Sequence, residues 1–526
     1  MSESMLVRAS RDGDQFHYLW AARRALQLLA PQSGLVAITI EGAATTEFPG
    51  GEQVEVGEQL IDIAEYYGST ELESATRIRY LQLKHSTLQV DEVWQPSGLE
   101  KTICGFAERY AALQQKLPGV PLNERLEFWF VTNRTINADF IAAVEDAAAQ
   151  KKPRYPGNLK KLKAFTSLDG EALASFCGML RLDGSQDNYW TQRNILFQDV
   201  SGYLPDMDVD APIRLKDLVN RKALSESATN PAITKMDVLR VLNTDEAQLF
   251  PAPCLIEELA EAIPRQQERA VIHSIIDAAD TPVIVHADAG VGKSILSTRS
   301  CQSLPNESAG LLYDCFGNGQ YRSVSGYRHR HRTALVQLAN QLSALGFCHP
   351  LIPTVHADST AYMRAFMHRV GQAVAMLRAK NKDALLCIII DAADNAQMAA
   401  EEVGEPRSFI RDLLRETLPE GVRLVALCRP YREIMLDPPP HALLLALNAF
   451  TVEETSAHLR KTFADASEYD VAEFHRLSSH NPRVQALALS RQKTLPETLR
   501  LLGPNPTTVD SVIDTLLEKS IATLRD

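Results

Sequence analysis

Strand patterns alternating with helix patterns over most of the chain predict an α/β multidomain protein. Three observations carry that expectation. The length of 526 residues allows about three or four domains at roughly 150 residues each. Two separate blocks set short apolar or β-branched runs beside helical periodicity. A glycine-bearing turn, HADAGVGKS, stands between an apolar run and a helical pattern. Hydrophobic residues at 45% and charged residues at 23% lie near the soluble globular average and exclude a disordered, collagen-like or coiled-coil chain. The 54 Lys and Arg against 66 Asp and Glu give a net charge of −12. The chain as a whole is therefore no electrostatic trap for nucleic acid, and any such site must be a local patch. Eight cysteines, none spaced as CxxC, make neither a disulfide framework nor a zinc or redox motif. The N-terminal MSESMLVRASRDGDQF lacks the apolar run of a signal peptide, and no stretch approaches the roughly 18 apolar residues of a membrane span. A cytoplasmic protein without membrane contact is expected.

In the first block, FHYLWAARRALQLL (Phe16 to Leu29) has its apolar positions on one helical face, and LVAITIEG follows as a strand ending at Glu41 and Gly42. Gln59 to Tyr67 reads as a second strand, Ile78 to Lys84 as a third, and Leu126 to Thr132 as a fourth after an intervening helix. Residues 203–253 are rich in Asp, Pro, Asn and Ser, with short helical stretches such as Lys235 to Leu242, and the domain boundary is expected inside them. The second block runs from a helix at Arg265 to Ala278 through the strand PVIVHA, a helix from Lys293, and the strands AGLLYDC, ALLCIIID and VRLVALC. That spacing implies a parallel sheet covered on both faces. From Thr451 onward the pattern is nearly all helical. The predicted domains are 1–225, a linker region 226–263, a core 264–450 and a helical lid 451–526. No fixed-period repeat or low-complexity tract is present.

The turn His286 to Ser294 carries the strongest chemical signal. Backbone N–H groups of a glycine turn point at phosphate oxygens, and the helix N-terminus adds positive potential. Gly290, Val291, Gly292, Lys293 and Ser294 are the predicted ATP-binding loop, with Lys293 meeting the β and γ phosphates and Ser294 ligating Mg²⁺. Ala287 stands where the usual pattern has its first glycine. About a hundred residues on, ALLCIIIDAADNA ends an apolar strand at Asp391, the position from which a carboxylate holds Mg²⁺. Ala392 follows where fast motors commonly have Glu, and the next acid, Asp394, is a further candidate of the ATP site, or a helix N-cap on the plainer reading. VALCRPYRE places Arg429 at the edge of the sheet, and HNPRV supplies Pro482.

This combination resembles the STAND family of signalling ATPases over about Pro264 to Ser490. The resemblance implies that Arg429 senses the γ-phosphate and that Pro482 packs near the base. Read plainly, Arg429 is a surface charge and Pro482 a helix-starting proline.

In the first block, Glu41 closes the first strand, Asp62 lies within the second, and Gln82 and Lys84 share a face of the third. Phosphodiester cleavage with Mg²⁺ needs two or three oxygen ligands at one end of a small sheet and a Lys near the scissile phosphate. The order Glu, Asp, Gln-x-Lys resembles the PD-(D/E)XK nuclease superfamily, specifically the double-stranded-DNA endonuclease domains of bacterial anti-phage effectors; DGDQFHYLWAARRAL fits as well, and the resemblance covers about Arg11 to Arg134. It implies a restriction-endonuclease-like α/β domain with Glu41, Asp62 and Gln82 as Mg²⁺ ligands and Lys84 beside them. Read plainly, the same residues are the polar edge of a mixed sheet. Gln15 and His17 read as helix-surface or core residues, not ligands. RHRHR, Arg328 to Arg332, reads as a solvated loop before it reads as a phosphate or partner contact.

Together these readings predict a cytoplasmic effector in which a P-loop STAND NTPase with a helical lid controls a Mg²⁺-dependent nuclease acting on double-stranded DNA. Activation would come through homo-oligomerisation, with a tetramer among the options, and the resemblance implies bacterial antiviral defence. STAND proteins usually carry a sensor after the lid, so with the chain stopping at SIATLRD the expectation is a fragment or a phage-derived trigger read by a separate sensor. Two competitors remain: a signalling or scaffold ATPase whose N-terminal domain binds nucleic acid without cutting it, and a DNA restriction or repair motor.

Overall fold

The computed structural model describes residues 3–48, 54–257, 259, 261–323, 326–491 and 494–503. They form two compact units, Met1–Gln248 with Ile352–Val355, and Leu249–Leu351 with His356–Asp526.

The first unit is built on a six-stranded sheet. In chain order its strands are β1 (Leu35–Ile40), β2 (Ile63–Tyr67), β3 (Arg77–Lys84), β4 (Leu126–Thr132), β5 (Leu180–Asp183) and β6 (Ala232–Thr234), and in space they run β5-β4-β3-β2-β1-β6. The first three form an antiparallel meander, while β3, β4 and β5 are parallel. A parallel step needs a crossover, and the helix Pro96–Lys116 supplies it. Leu99, Ile103, Phe106, Tyr110 and Leu113, spaced three and four apart, are buried in one cluster with Ala64, Tyr66, Ile78, Tyr80, Phe128 and Phe130 of the sheet. The helix Glu3–Ala25 buries Phe16, Leu19 and Ala22.

Two expectations are corrected here. The second strand does not begin at Gln59. Gly57 takes a left-handed φ of 73° and Glu58–Leu60 make a 3₁₀ turn, so β2 starts at Ile63. Residues 226–248 are not linker either, because β6 pairs antiparallel with β1 through Ala37↔Thr234 and Thr39↔Ala232, and the boundary between the units falls after Gln248. The short run Ala232–Thr234 between Asn, Pro and Lys carries too little periodicity to read as a strand.

The loop from Glu41 to Asp62 is anchored by a buried polar cluster. Glu47 accepts from the hydroxyls of Tyr66 at 2.6 Å and Tyr80 at 2.8 Å and from Arg109 at 3.0 Å, and Arg109 also holds the Val54 carbonyl at 2.8 Å. A buried carboxylate is tolerable only with such a full set of donors.

The second unit has a five-stranded, wholly parallel sheet: β7 (Val283–His286), β8 (Ala309–Asp314), β9 (Leu386–Asp391), β10 (Val422–Cys428) and β11 (Leu443–Ala446), in the order β11-β7-β10-β9-β8. β9 is buried at every position, as expected of a strand covered on both faces. β11 went unread in LLLALN; it is an edge strand with alternating, half-exposed positions. Helices Val452–Thr462, Glu468–Leu477, Pro482–Arg491 and Leu495–Leu502 form the lid, the first two opened by capping boxes at Thr451 and Ser467.

Arg328 to Arg332 is solvated only in part: Arg330 and Arg332 are exposed, while Arg328 and His329 are buried. Arg328 is 4% exposed and donates to the carbonyls of Asp314 and Pro253; His329 and Arg330 bind Glu405, and His331 binds Asp412. The carboxylates that pair with His329, Arg330 and His331 lie about 75 to 80 residues away in the sequence and so are invisible to local reading. Among the described residues, no helix is long and apolar enough to cross a membrane, and the eight cysteines are unbonded.

Candidate functional site

β7 ends at His286, the chain turns through Ala287–Gly292, and a helix starts at Lys293. Gly290 and Gly292 hold φ values of 78° and 109°, the left-handed region where a side chain is strained. The turn thus presents successive N–H groups ahead of a helix N-terminus, the arrangement that binds phosphate. Lys293 Nζ donates to the carbonyls of Ala287 at 2.5 Å and Asp288 at 2.9 Å. Burial lowers its pKa, and the charge of Arg429 adds to that shift.

Asp391 ends β9 directly beneath this helix. It accepts from Ser294 Oγ at 2.8 Å and Ser297 Oγ at 3.4 Å. Burial pushes its pKa up to about 6, with the charge of Asp314 contributing, against the opposing pull of Ser294 and Lys293. A hydroxyl and a carboxylate in contact at the foot of a phosphate turn are hard oxygen donors suited to Mg²⁺. Asp394 is not the N-cap of its helix. Ala392, with φ 53°, holds that position, and the buried Asp394 carboxylate accepts from Arg432 Nη1 at 3.1 Å. Arg429 itself is exposed at the end of β10.

The lid grips the turn through HNPRV. Asn481 Nδ2 donates to Ala289 O at 2.8 Å, and Arg483 N donates to Gly290 O at 3.2 Å. Pro482 starts the next helix and lines a cleft of about 520 Å³ with Leu259, Phe450, His458 and the turn itself. Arg265, missed in the sequence, is 5% exposed. It donates to Val291 O at 3.1 Å and Asn448 O at 2.5 Å, pairs with Glu454 at 3.4 Å and lies over the Phe450 ring. Its only local signal is an Arg after Pro at the start of a helix.

In the first unit, the C-terminal ends of β1 and β3 and the start of β2, all interior strands, bring Glu41, Asp62 and Lys84 to one edge formed by the strand ends. Glu41 leaves β1 with a left-handed φ of 55°, its N–H donating to Asp62 O at 2.9 Å. Asp62 Oδ2 accepts from Leu83 N at 2.6 Å. Burial pushes Glu41 up to about 7, with Asp62 and Asp14 adding and Lys84 opposing. Burial also raises Asp62, against His17, the Leu83 N–H and Lys84.

Two residues of the N-terminal helix therefore join this edge: His17, set aside in the sequence reading, and Asp14, not noticed there. His17 is lowered chiefly by burial, feels Asp62 and Lys84, and hydrogen-bonds the Leu83 backbone. Their spacing of three puts both on one helical face, a signal the sequence contained. Gln82 departs from its expected role: it is 3% exposed and its carbonyl accepts from the Thr102 hydroxyl at 2.5 Å, because its side of β3 faces the helix Pro96–Lys116. Among the described residues, no cluster of three or more His, Cys, Asp or Glu suited to a metal is present. The oxygen donors that would take a cation here are Glu41 and Asp62; the charge of Asp62 helps raise Glu41, a repulsion a divalent ion would relieve.

Residues 255–429 match the family model described as nephrocystin 3, N-terminal, a span that runs from before the phosphate turn through Asp391 to Arg429. No curated protein matches. Among solved structures, a Signal Transduction ATPase with Numerous Domains (STAND) protein with a tetratricopeptide repeat sensor from Pyrococcus horikoshii aligns at TM-score 0.28 and 13% identity over 51% of this chain and 34% of its own. This chain therefore spans about a third of that protein. A Cap4 SAVED/CARF-domain containing receptor from Moraxella osloensis aligns at TM-score 0.26 and 9% identity, over 74% of this chain and 67% of that one. The Acinetobacter baumannii Cap4 receptor with the cyclic trinucleotide 3'3'3'-cAAA gives 0.25 and 11%, over 74% and 92%. Residues 255–429 are thus similar to the nephrocystin 3 N-terminal family, and within them lies a P-loop with the strand, turn and helix of a nucleotide-binding site.

Proposed function

We propose that this chain is an ATP-regulated, Mg²⁺-dependent DNA endonuclease effector of bacterial antiviral defence, with a STAND-type module that assembles the protein when nucleotide and trigger are bound. The observation that carries the reading is the pairing of two sites in one chain: Ser294 bonded to Asp391 at the foot of a P-loop, and Glu41, Asp62 and Lys84 close together at the strand ends of the other unit's sheet.

At the first site Lys293 and the N–H groups of the turn hold the phosphates, Ser294 and Asp391 hold Mg²⁺, and the lid reports occupancy through Asn481 and Arg483. At the second, Glu41 and Asp62 hold the cation, which supplies an activated water and shields the phosphate charge. Lys84 stabilises the charge that develops on the scissile phosphate, and His17 orients the edge through Leu83 and Asp62.

The test is incubation with plasmid, Mg²⁺ and ATP while the mass of the protein is recorded. Linearised plasmid appearing with an ATP-dependent rise in mass is the expected result; a protein that assembles with ATP but never cuts leaves the scaffold reading in its place. That second reading draws on Gln82, whose carbonyl is already bonded to Thr102. The motor reading is disfavoured by Ala392 after Asp391 and by the commitment of Asp394 to Arg432.

A further inference from the structure

On the face of the first sheet opposite the helix Pro96–Lys116, a second cavity of about 250 Å³ lies between the N-terminal helix, β4, the end of β5 and the helix Tyr189–Ser201. Trp20, Arg23, Arg24, Trp129, Asp183 and Gln186 line it. Both indoles line the cavity and are only half-buried.

The polar groups of the wall are held from behind. Arg24 grips Glu65 through Nε at 2.5 Å and Nη2 at 2.9 Å, and that carboxylate is 1% exposed. Arg23 donates to Asp199 at 2.9 Å and to Gln192, fully buried, at 2.7 Å. Gln186 Nε2 donates to both oxygens of Asp183 at 2.9 Å. Arg24 stands over the Trp20 ring at 5.7 Å and Arg79 over Trp129 at 5.0 Å.

The charges of this wall balance, two guanidinium groups against Asp183 and Asp199, so it is neither an anion trap nor a cation site. Flat aromatic walls with fixed donors and acceptors suit a planar heterocycle with a polar edge, a nucleobase. The volume sits just below the range of drug-sized pockets, about 300–1,000 Å³, and excludes a stacked pair of bases. Position links it to the nuclease edge. Asp14 and His17 sit near Glu41, Asp62 and Lys84, while Trp20 and Arg24 follow on the same helix. At 1.5 Å per residue, His17 and Arg24 are about 10 Å apart along the axis, roughly three nucleotide steps of a stacked strand.

We propose that this cavity is a base-recognition site that takes one unstacked nucleobase, supplied by a strand lying across the Glu41–Asp62 edge or by a free nucleotide. The site rests on the nuclease reading for its purpose and not for its binding, so it is tested without cutting. In EDTA, the full chain is titrated with a ten-nucleotide single-stranded DNA, with the same strand carrying one abasic position at each site in turn, and with each deoxynucleoside monophosphate.

The intact strand should bind about tenfold more tightly than the strand whose abasic position meets the cavity. Trp129→Ala should erase that difference, and Trp129→Phe should keep most of it. Gln186→Leu should change the ranking of the four bases without a general loss, a readout that a purely structural role would not move. Monophosphates that bind and are lost in Trp129→Ala, with no abasic effect, would assign the cavity to free nucleotide. Equal binding of intact and abasic strands together with monophosphate binding indifferent to Trp129→Ala and Gln186→Leu would overturn the proposal. A protein that never cuts plasmid yet shows the base-dependent difference would keep this site and remove the nuclease.

Discussion

Replacing Asp391 with asparagine should make the nucleotide-free protein more stable, although it damages the nucleotide site. Folding moves this carboxyl from its usual 3.8 to about 6, chiefly because it is buried. The folded state therefore holds the proton more tightly than the unfolded chain. Above pH 6 the buried charge is a cost, and below about pH 4, where both states are protonated, the cost is gone. About two pH units at roughly 1.4 kcal/mol each place the cost near 3 kcal/mol in neutral solution. Asparagine has the same shape, keeps an acceptor for Ser294 Oγ and carries no charge. Its second-unit melting transition should rise by several degrees near pH 8, with the gain fading as the pH falls from about 6 to 4. Mg²⁺ and ATP should raise the parent's transition and leave the variant's unmoved. Calorimetry across that pH range is the assay. A variant less stable than the parent near pH 8, or a difference independent of pH, would refute the claim that the buried charge destabilises the fold.

The remaining predictions concern the other groups. Lys293→Ala should lose ATP binding in a calorimetric titration with its melting curve preserved, because that ammonium is the motif cation placed for the terminal phosphates. Asp62→Ala and Lys84→Ala should each abolish plasmid cutting while ATP binding persists; cutting at the parent's rate in both would show the edge to be misassigned. Arg265→Met should leave Glu454 buried without its partner and lower the stability of the second unit by about 3–5 kcal/mol, measured by denaturation. ATP turnover should stay well below the roughly 10 s⁻¹ of a median enzyme, since Ala392 offers no carboxylate for water.

The parallel sheet of the second unit was legible because strands buried on both faces are continuous apolar runs, as in LCIIID, and because the phosphate turn is local chemistry. β11 and β6 were not, since four- and three-residue edge strands draw their stability from pairing with distant residues. At the candidate nucleotide site, the place of Lys293 at the start of the helix and the facing of Ser294 and Asp391 were legible from the motif between its strand and helix. Arg265 and Arg432 were hidden because each is recognised by the buried carboxylate it pairs with, Glu454 and Asp394, which lie 189 and 38 residues away. Gln82 shows the converse: alternation set its face correctly, but that face turned out to be covered by Thr102. His17 was legible as a position and illegible as a participant, because its neighbours Asp62 and Leu83 arrive from other strands.

The late pairing of β6 with β1 bears on how the protein is made. β1, which leads into Glu41, is closed on one side by β2 but on the other only by Ala232–Thr234, nearly two hundred residues downstream. During synthesis, at about 5–20 residues per second, that edge of β1 stays open for on the order of ten seconds or more. An open strand edge is an invitation to pair wrongly, so a nascent chain has reason to need protection until residue 234 has emerged. It also means that a protein shortened to residues 1–225 would lack the edge strand beside β1. Expression of the first unit alone calls for an end at or beyond Gln248.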